Sequence, residues 1–165
     1  MRLIPLFLSS EKTKIMDELF VTNKITINAS AQKVWKVLVD PSQTKKYMFG
    51  CETVSDWKTG SALLWKGEYQ GKEMVFVKGT IKQIRKDEFL AYTVIDPNNP
   101  ALADIPENYL TVTYRLEQGA GQTLLTVSQG DFSKVADGEK RYKETYNNGV
   151  GWDPILVQIK KIAEE

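Results

Sequence analysis

The chain has 165 residues, a length that suits one domain, and its apolar fraction of 42% is that of an ordinary globular protein. Its 22 basic and 21 acidic residues leave a net charge of +1, which gives no electrostatic reason to expect nucleic acid or an anionic membrane as partner. Histidine is absent, which removes every histidine-based acid–base or nucleophile scheme and the commonest zinc and iron ligand.

In chain order, Met1 to Ser10 carries one basic residue and a short apolar run broken by Pro5. It matches neither a secretory signal nor a membrane span, so residues 1–17 are expected to form a loose tail. Glu18 to Ile27 alternates and is rich in β-branched residues, a first strand. Ser30 is an N-cap candidate for a short helix whose apolar stripe is Ala31, Val34, Trp35 and Leu38. Asp40 caps a second short helix ending at Tyr47, with Pro41 at its first position.

From Cys51 to Gln129 the pattern is β throughout. Runs over 51–57, 61–70, 74–85, 88–95, 109–117 and 122–129 are separated by turns at Lys58-Thr-Gly60, Gly71-Lys72, Lys86-Asp87 and Gln118 to Gly121. Gly79 marks a bend or a bulge. Three prolines between Asp96 and Pro106 make that segment a loop. The tail is helical from Asp137 or Gly138, with Trp152, Ile155, Leu156, Ile159, Ile162 and Ala163 on one stripe. Gly149, Gly151 and Pro154 interrupt it, so either the helix bends or it is two helices in sequence.

Hairpin-length turns imply antiparallel pairing, and one apolar face per strand implies a sheet covered on one side. The expected fold is α+β: a curved antiparallel sheet of six to seven strands around a C-terminal helix, with two short helices after the first strand. A helix of roughly 25 residues would run about 37 Å, enough to cross a curved sheet and leave space between the layers.

Several blocks then match a known family in order. Ile25-Thr-Ile-Asn-Ala-Ser-Ala-Gln-Lys-Val-Trp-Lys-Val-Leu-Val-Asp-Pro41 resembles its first strand and helix. Trp57 to Gly67, Lys78-Gly-Thr-Ile81, Phe89-Leu-Ala-Tyr92 and Pro106 to Tyr114 resemble its strands. Gly151-Trp152 with Ile155-Leu156 and Ile159-Lys160-Lys161 resembles the start of its closing helix. The chain resembles the SRPBCC (START-like, helix-grip) superfamily and, within it, the activator of heat-shock-protein-90 ATPase homologue family, over about residues 20–164. It departs at Tyr47-Met48, where the family carries a Trp-Phe-like pair. The resemblance implies one helix-grip domain over 18–165 and no shared catalytic motif.

Trp65, Tyr69, Tyr92, Tyr114 and Trp152 fall on inward positions, and with Gln129 and Leu156 they are the candidate pocket lining; plain core filling is the competing reading. Tyr47, Met48 and Phe49 are candidates for the pocket entrance, against a small satellite core beneath the short helices. Trp35 and the lone Cys51 read as packing residues, and Glu68 and Arg115 as outward-facing. The single cysteine excludes an internal disulfide and suits a reducing cytoplasm. The expected function is non-catalytic binding of a lipophilic small molecule, without metal or cofactor. The alternative is a protein-interaction module, co-chaperone-like and tied to stress response, whose partner would be a chaperone or another protein. Nucleic-acid binding and membrane insertion are not expected.

Overall fold

The computed structural model describes residues 18–165, so the expected tail over 1–17 lies outside the described residues. The seven strands are β1 (Val21–Ile27), β2 (Glu52–Ser55), β3 (Ala62–Tyr69), β4 (Lys72–Arg85), β5 (Phe89–Val94), β6 (Leu110–Gln118) and β7 (Thr123–Gly130). They form one antiparallel sheet in the order β1-β7-β6-β5-β4-β3-β2. Only β1 is out of sequence order, because the two short helices α1 (Ala31–Val39) and α2 (Pro41–Tyr47) carry the chain from one sheet edge to the other. Both caps are the expected ones. Ser30 Oγ accepts from Lys33 N–H at 3.2 Å, and Asp40 Oδ1 accepts from Ser42 N–H at 2.9 Å. The two Ser42 hydrogen bonds also hold the Asp40 carboxyl below its ordinary value.

The tail resolves into two helices, α3 (Gly138–Tyr146) and α4 (Asp153–Ala163). A continuous helix of 25 residues does not form, because Asn147, Asn148, Gly149 and Gly151 all take positive φ between them. Asn and Gly tolerate that left-handed conformation best. Pro154 falls at the start of α4, where its missing N–H costs nothing. α4 packs on β1 and against α1 and α2, and Leu156, Ile159 and Ala163 are fully buried. Burying an aliphatic side chain of this kind stabilises by about 1.5–3 kcal/mol. The sheet contributes Leu63, Ile81, Leu90, Val112, Tyr114, Leu125 and Val127 to the same core. No helix among the described residues is long and apolar enough to cross a membrane.

Two irregularities curve the sheet, and neither falls on Gly79 itself. Trp65 pairs with Val77 while Lys66 pairs with Val75, so Phe76 is an extra residue in β4. Ile81 pairs with Tyr92 while Gln83 pairs with Ala91, so Lys82 is another. Gly79 lies between them for a different reason: a Cβ there would sit 1.6 Å from the Thr93 carbonyl oxygen. β5 crosses β4 too closely for any side chain at that point. Gly79→Ala is therefore expected to destabilise the protein by about 3 kcal/mol or more. Urea unfolding should show a lower midpoint at unchanged slope.

Candidate functional site

A cleft of about 640 Å³ opens between the sheet and the α3–α4 junction. Its floor follows from strand register. Gln129 pairs with Val112, and Val112 with Tyr92, so these residues form one cross-strand row on the inner face. Trp65 of β3 extends the wall. The extra residue in β4 lets the successive side chains Phe76 and Val77 both line it, which strict strand alternation would forbid. Trp152 and Ile155 form the roof, and Leu102 lies in the 95–109 loop beside the mouth. That loop is tied to β4 by a Lys78–Asp104 ion pair and by Asn98 Nδ2 donating to the Val75 carbonyl at 2.8 Å, and within the loop Tyr109 Oη donates to Asp104 Oδ1 at 2.6 Å.

Trp152 is placed by two polar contacts. Its main-chain N–H donates to Asn23 Oδ1 at 3.0 Å, and its indole N–H donates to Gln129 Oε1 at 3.1 Å. Gly151, at φ 50°, permits this, since a Cβ there would lie 2.4 Å from Asn23 Oδ1. Gln129, the polar candidate of β7, thus spends its carbonyl oxygen on Trp152 and keeps its amide N–H groups for other partners.

The sequence candidates separate into three sets. Trp65, Tyr92, Gln129, Trp152, Met48 and Phe49 all line the cleft. Tyr114 and Leu156 do not; both are fully buried behind it. The Trp152 ring sits edge-on to Tyr114 at 6.0 Å and seals it from the cleft. Tyr47 is likewise core and not entrance, since it is buried and its hydroxyl donates to the Leu38 carbonyl at 2.9 Å, tying α2 to α1. Tyr69 is a correction of another kind: it is 56% exposed. It pairs with Lys72 at the tip of the β3–β4 hairpin, beyond the reach of β5, so among the described residues no second layer covers it. Phe49, at the mouth, is 88% exposed with φ 52°. Glu68 and Arg115 face outward, and Trp35 and Cys51 are buried.

Sequence reasoning missed Arg141. It reads as an ordinary polar residue of an amphipathic tail, yet it is half-buried and lines the cleft. Burial draws its guanidinium below the ordinary arginine value, against the opposing pull of Asp137 and Glu144. Burial also pushes the Cys51 thiol up, which disfavours the reactive thiolate. Among the described residues, no group of three or more His, Cys, Asp or Glu side chains is arranged to hold a metal. A second groove, of about 830 Å³, runs along α1 beside Trp35, Trp57, Lys33, Lys36 and Lys86; it is more open than the cleft and less apolar.

Trp65, Tyr92, Tyr114 and Trp152 form a continuous run of rings, with centroids 6.4, 6.4 and 6.0 Å apart. The Tyr92 and Tyr114 hydroxyls perturb each other, but no hydrogen bond of normal geometry joins them, and Tyr114 Oη has no partner among the described residues. Burial raises the pKa values of Tyr47, Tyr92 and Tyr114 above the ordinary tyrosine value. A raised folded-state pKa means that the folded protein holds these protons after the unfolded chain has released them. Stability from these tyrosines is therefore constant below about pH 10 and is lost progressively as pH rises above it. Tyrosinate absorbance should report these three tyrosines ionising only together with loss of near-ultraviolet circular dichroism.

The family described as Activator of Hsp90 ATPase homolog 1-like protein matches residues 28–164. Comparison with curated proteins gives no match. Among solved structures, ChR145 from Cytophaga hutchinsonii is 37% identical, with 89% of this chain and 94% of that one covered and a TM-score of 0.69. The Aha1 dimer from Colwellia psychrerythraea is 16% identical over 88% of this chain and 96% of that one, at a TM-score of 0.62. PFC0360w from Plasmodium falciparum, described as an HSP90 activator, is 13% identical over 68% of this chain and 73% of that one, at a TM-score of 0.54. The last two are similar in fold alone. With the curved seven-stranded sheet, the C-terminal helix and a match over nearly the whole described chain in place, this protein belongs to the Activator of Hsp90 ATPase homolog 1-like family of the SRPBCC, helix-grip fold.

Proposed function

We propose that this chain is a non-catalytic binding protein for small lipophilic molecules, which it takes up in the cleft beneath Trp152. The observation that carries this reading is the cleft itself. Its volume of about 640 Å³ falls within the range of roughly 300–1,000 Å³ typical of ligand sites. Its walls are aromatic and aliphatic, with a few polar groups among them, as such sites generally are. A non-catalytic role is supported by how those polar groups are used: Gln129 positions Trp152, and Arg141 is anchored to main-chain carbonyls. The free Cys51 supports a reducing compartment such as the cytoplasm.

Nile red, a neutral lipophilic dye, is expected to gain fluorescence saturably at one site per chain. Val94→Trp, which places a large ring in the cleft wall, should abolish that gain while leaving the circular dichroism spectrum intact. Binding that is unchanged in Val94→Trp, or absent from the wild type, would count against the reading.

A second reading, a co-chaperone-like interaction module of the stress response, is favoured by the family match and by the exposed ring of Phe49. It predicts that saturating protein raises the ATPase rate of an Hsp90 chaperone and that Phe49→Ser removes most of the increase. An unchanged rate with the wild type eliminates it.

A further inference from the structure

Among the described residues three charged side chains line the cleft: Asp96, Arg141 and Glu144. Asp96 and Glu144 are exposed to water, and Arg141 is half-buried. Its Nη1 donates to the main-chain carbonyls of Asn108 at 3.2 Å and Ala136 at 3.3 Å, which hold the guanidinium in place. Among the described residues no carboxylate lies within ion-pair distance of it, and the N–H groups on Nε and Nη2 have no acceptor. Arg141 also stands near the N-terminal end of α3, where the helix dipole disfavours a cation. A guanidinium held in place on a mostly apolar wall, with N–H groups on Nε and Nη2 that no protein group among the described residues engages, offers those donors to whatever occupies the cleft.

We infer that the ligand of this cleft is an amphipathic monocarboxylate, with its apolar body along the aromatic wall and its carboxylate on the free edge of Arg141. This rests on the cleft-binding reading above and adds the class of ligand to it. A planar carboxylate matches the fork of N–H donors that a guanidinium presents. The solvated Asp96 and Glu144 at the rim weaken attraction for anions of higher charge more than for a single carboxylate.

The test compares decanoate with decanamide, its neutral isostere, by titration calorimetry on the full chain. Wild type should bind decanoate at least about tenfold more tightly, the effect of one charge-assisted hydrogen bond. Arg141→Gln should remove the difference by weakening decanoate alone, and Arg141→Lys should retain part of it, with thermal melting as the check on folding. Equal affinities in the wild type, or an equal loss of both ligands in Arg141→Gln, would overturn the carboxylate assignment. If both molecules still bind and Val94→Trp excludes both, the cleft reading survives that result. If neither binds and Nile red also fails, both fall.

Discussion

Trp152 connects three strands and a helix through a single residue. Asn23 of β1 holds its main-chain N–H, Gln129 of β7 holds its indole N–H, and its ring stacks edge-on over Tyr114 of β6. These contacts decide where α4 begins and therefore how Leu156, Ile159 and Ala163 meet the core. They also decide where the core stops. On one side of the Trp152 ring the space is filled, with Tyr114 and Leu156 fully buried; on the other side it opens into the cleft. A tryptophan suits this position because one end of its ring system is apolar and the other carries a donor that must be satisfied.

The cleft exists because the sheet curves and the helical tail breaks. Bulges at Phe76 and Lys82 bend β4, and the close crossing at Gly79 draws β5 inward. The positive φ values at Asn147, Asn148, Gly149 and Gly151 turn the chain between α3 and α4, so the tail covers the sheet in two segments and not as one rod. Arg141 belongs to the first segment and Trp152 to the start of the second, which is how a cation and an aromatic roof come to share one cavity. The polar groups of this region differ in how well they are paired. The Trp152 indole N–H and the Gln129 carbonyl oxygen satisfy each other, whereas Tyr114 Oη is buried without a partner among the described residues. Packing of the surrounding rings is the term that offsets that cost.

Much of this was legible from residue order. Alternation in β6 and β7 reported the buried face, the Ser30 and Asp40 caps marked both short helices, and Gly149, Gly151 and Pro154 marked the break in the tail. The errors have definite causes. Tyr69 has the inward parity of Trp65, but parity does not report whether a second layer extends over a hairpin tip. Tyr114 and Leu156 have the right facing, but their depth depends on what lies over them. Tyr47 ends a helix next to the entrance residues Met48 and Phe49, but its hydroxyl closes on the Leu38 carbonyl nine residues back. Arg141 carries no periodic mark, because its burial comes from the loop residues Asn108 and Ala136 that receive its donors.

The amino-acid sequence by itself determined the fold class, the strand count to within one, the caps of the two short helices and the absence of histidine chemistry, since each follows from local periodicity, turn residues or composition. The tertiary structure alone decided which inward side chains face a cavity and which face one another. That distinction depends on contacts such as Trp152 with Asn23 and Gln129, formed between residues 129 and 23 positions apart in the chain. No local pattern encodes such contacts, because they arise only when the curved sheet brings distant segments within hydrogen-bonding distance.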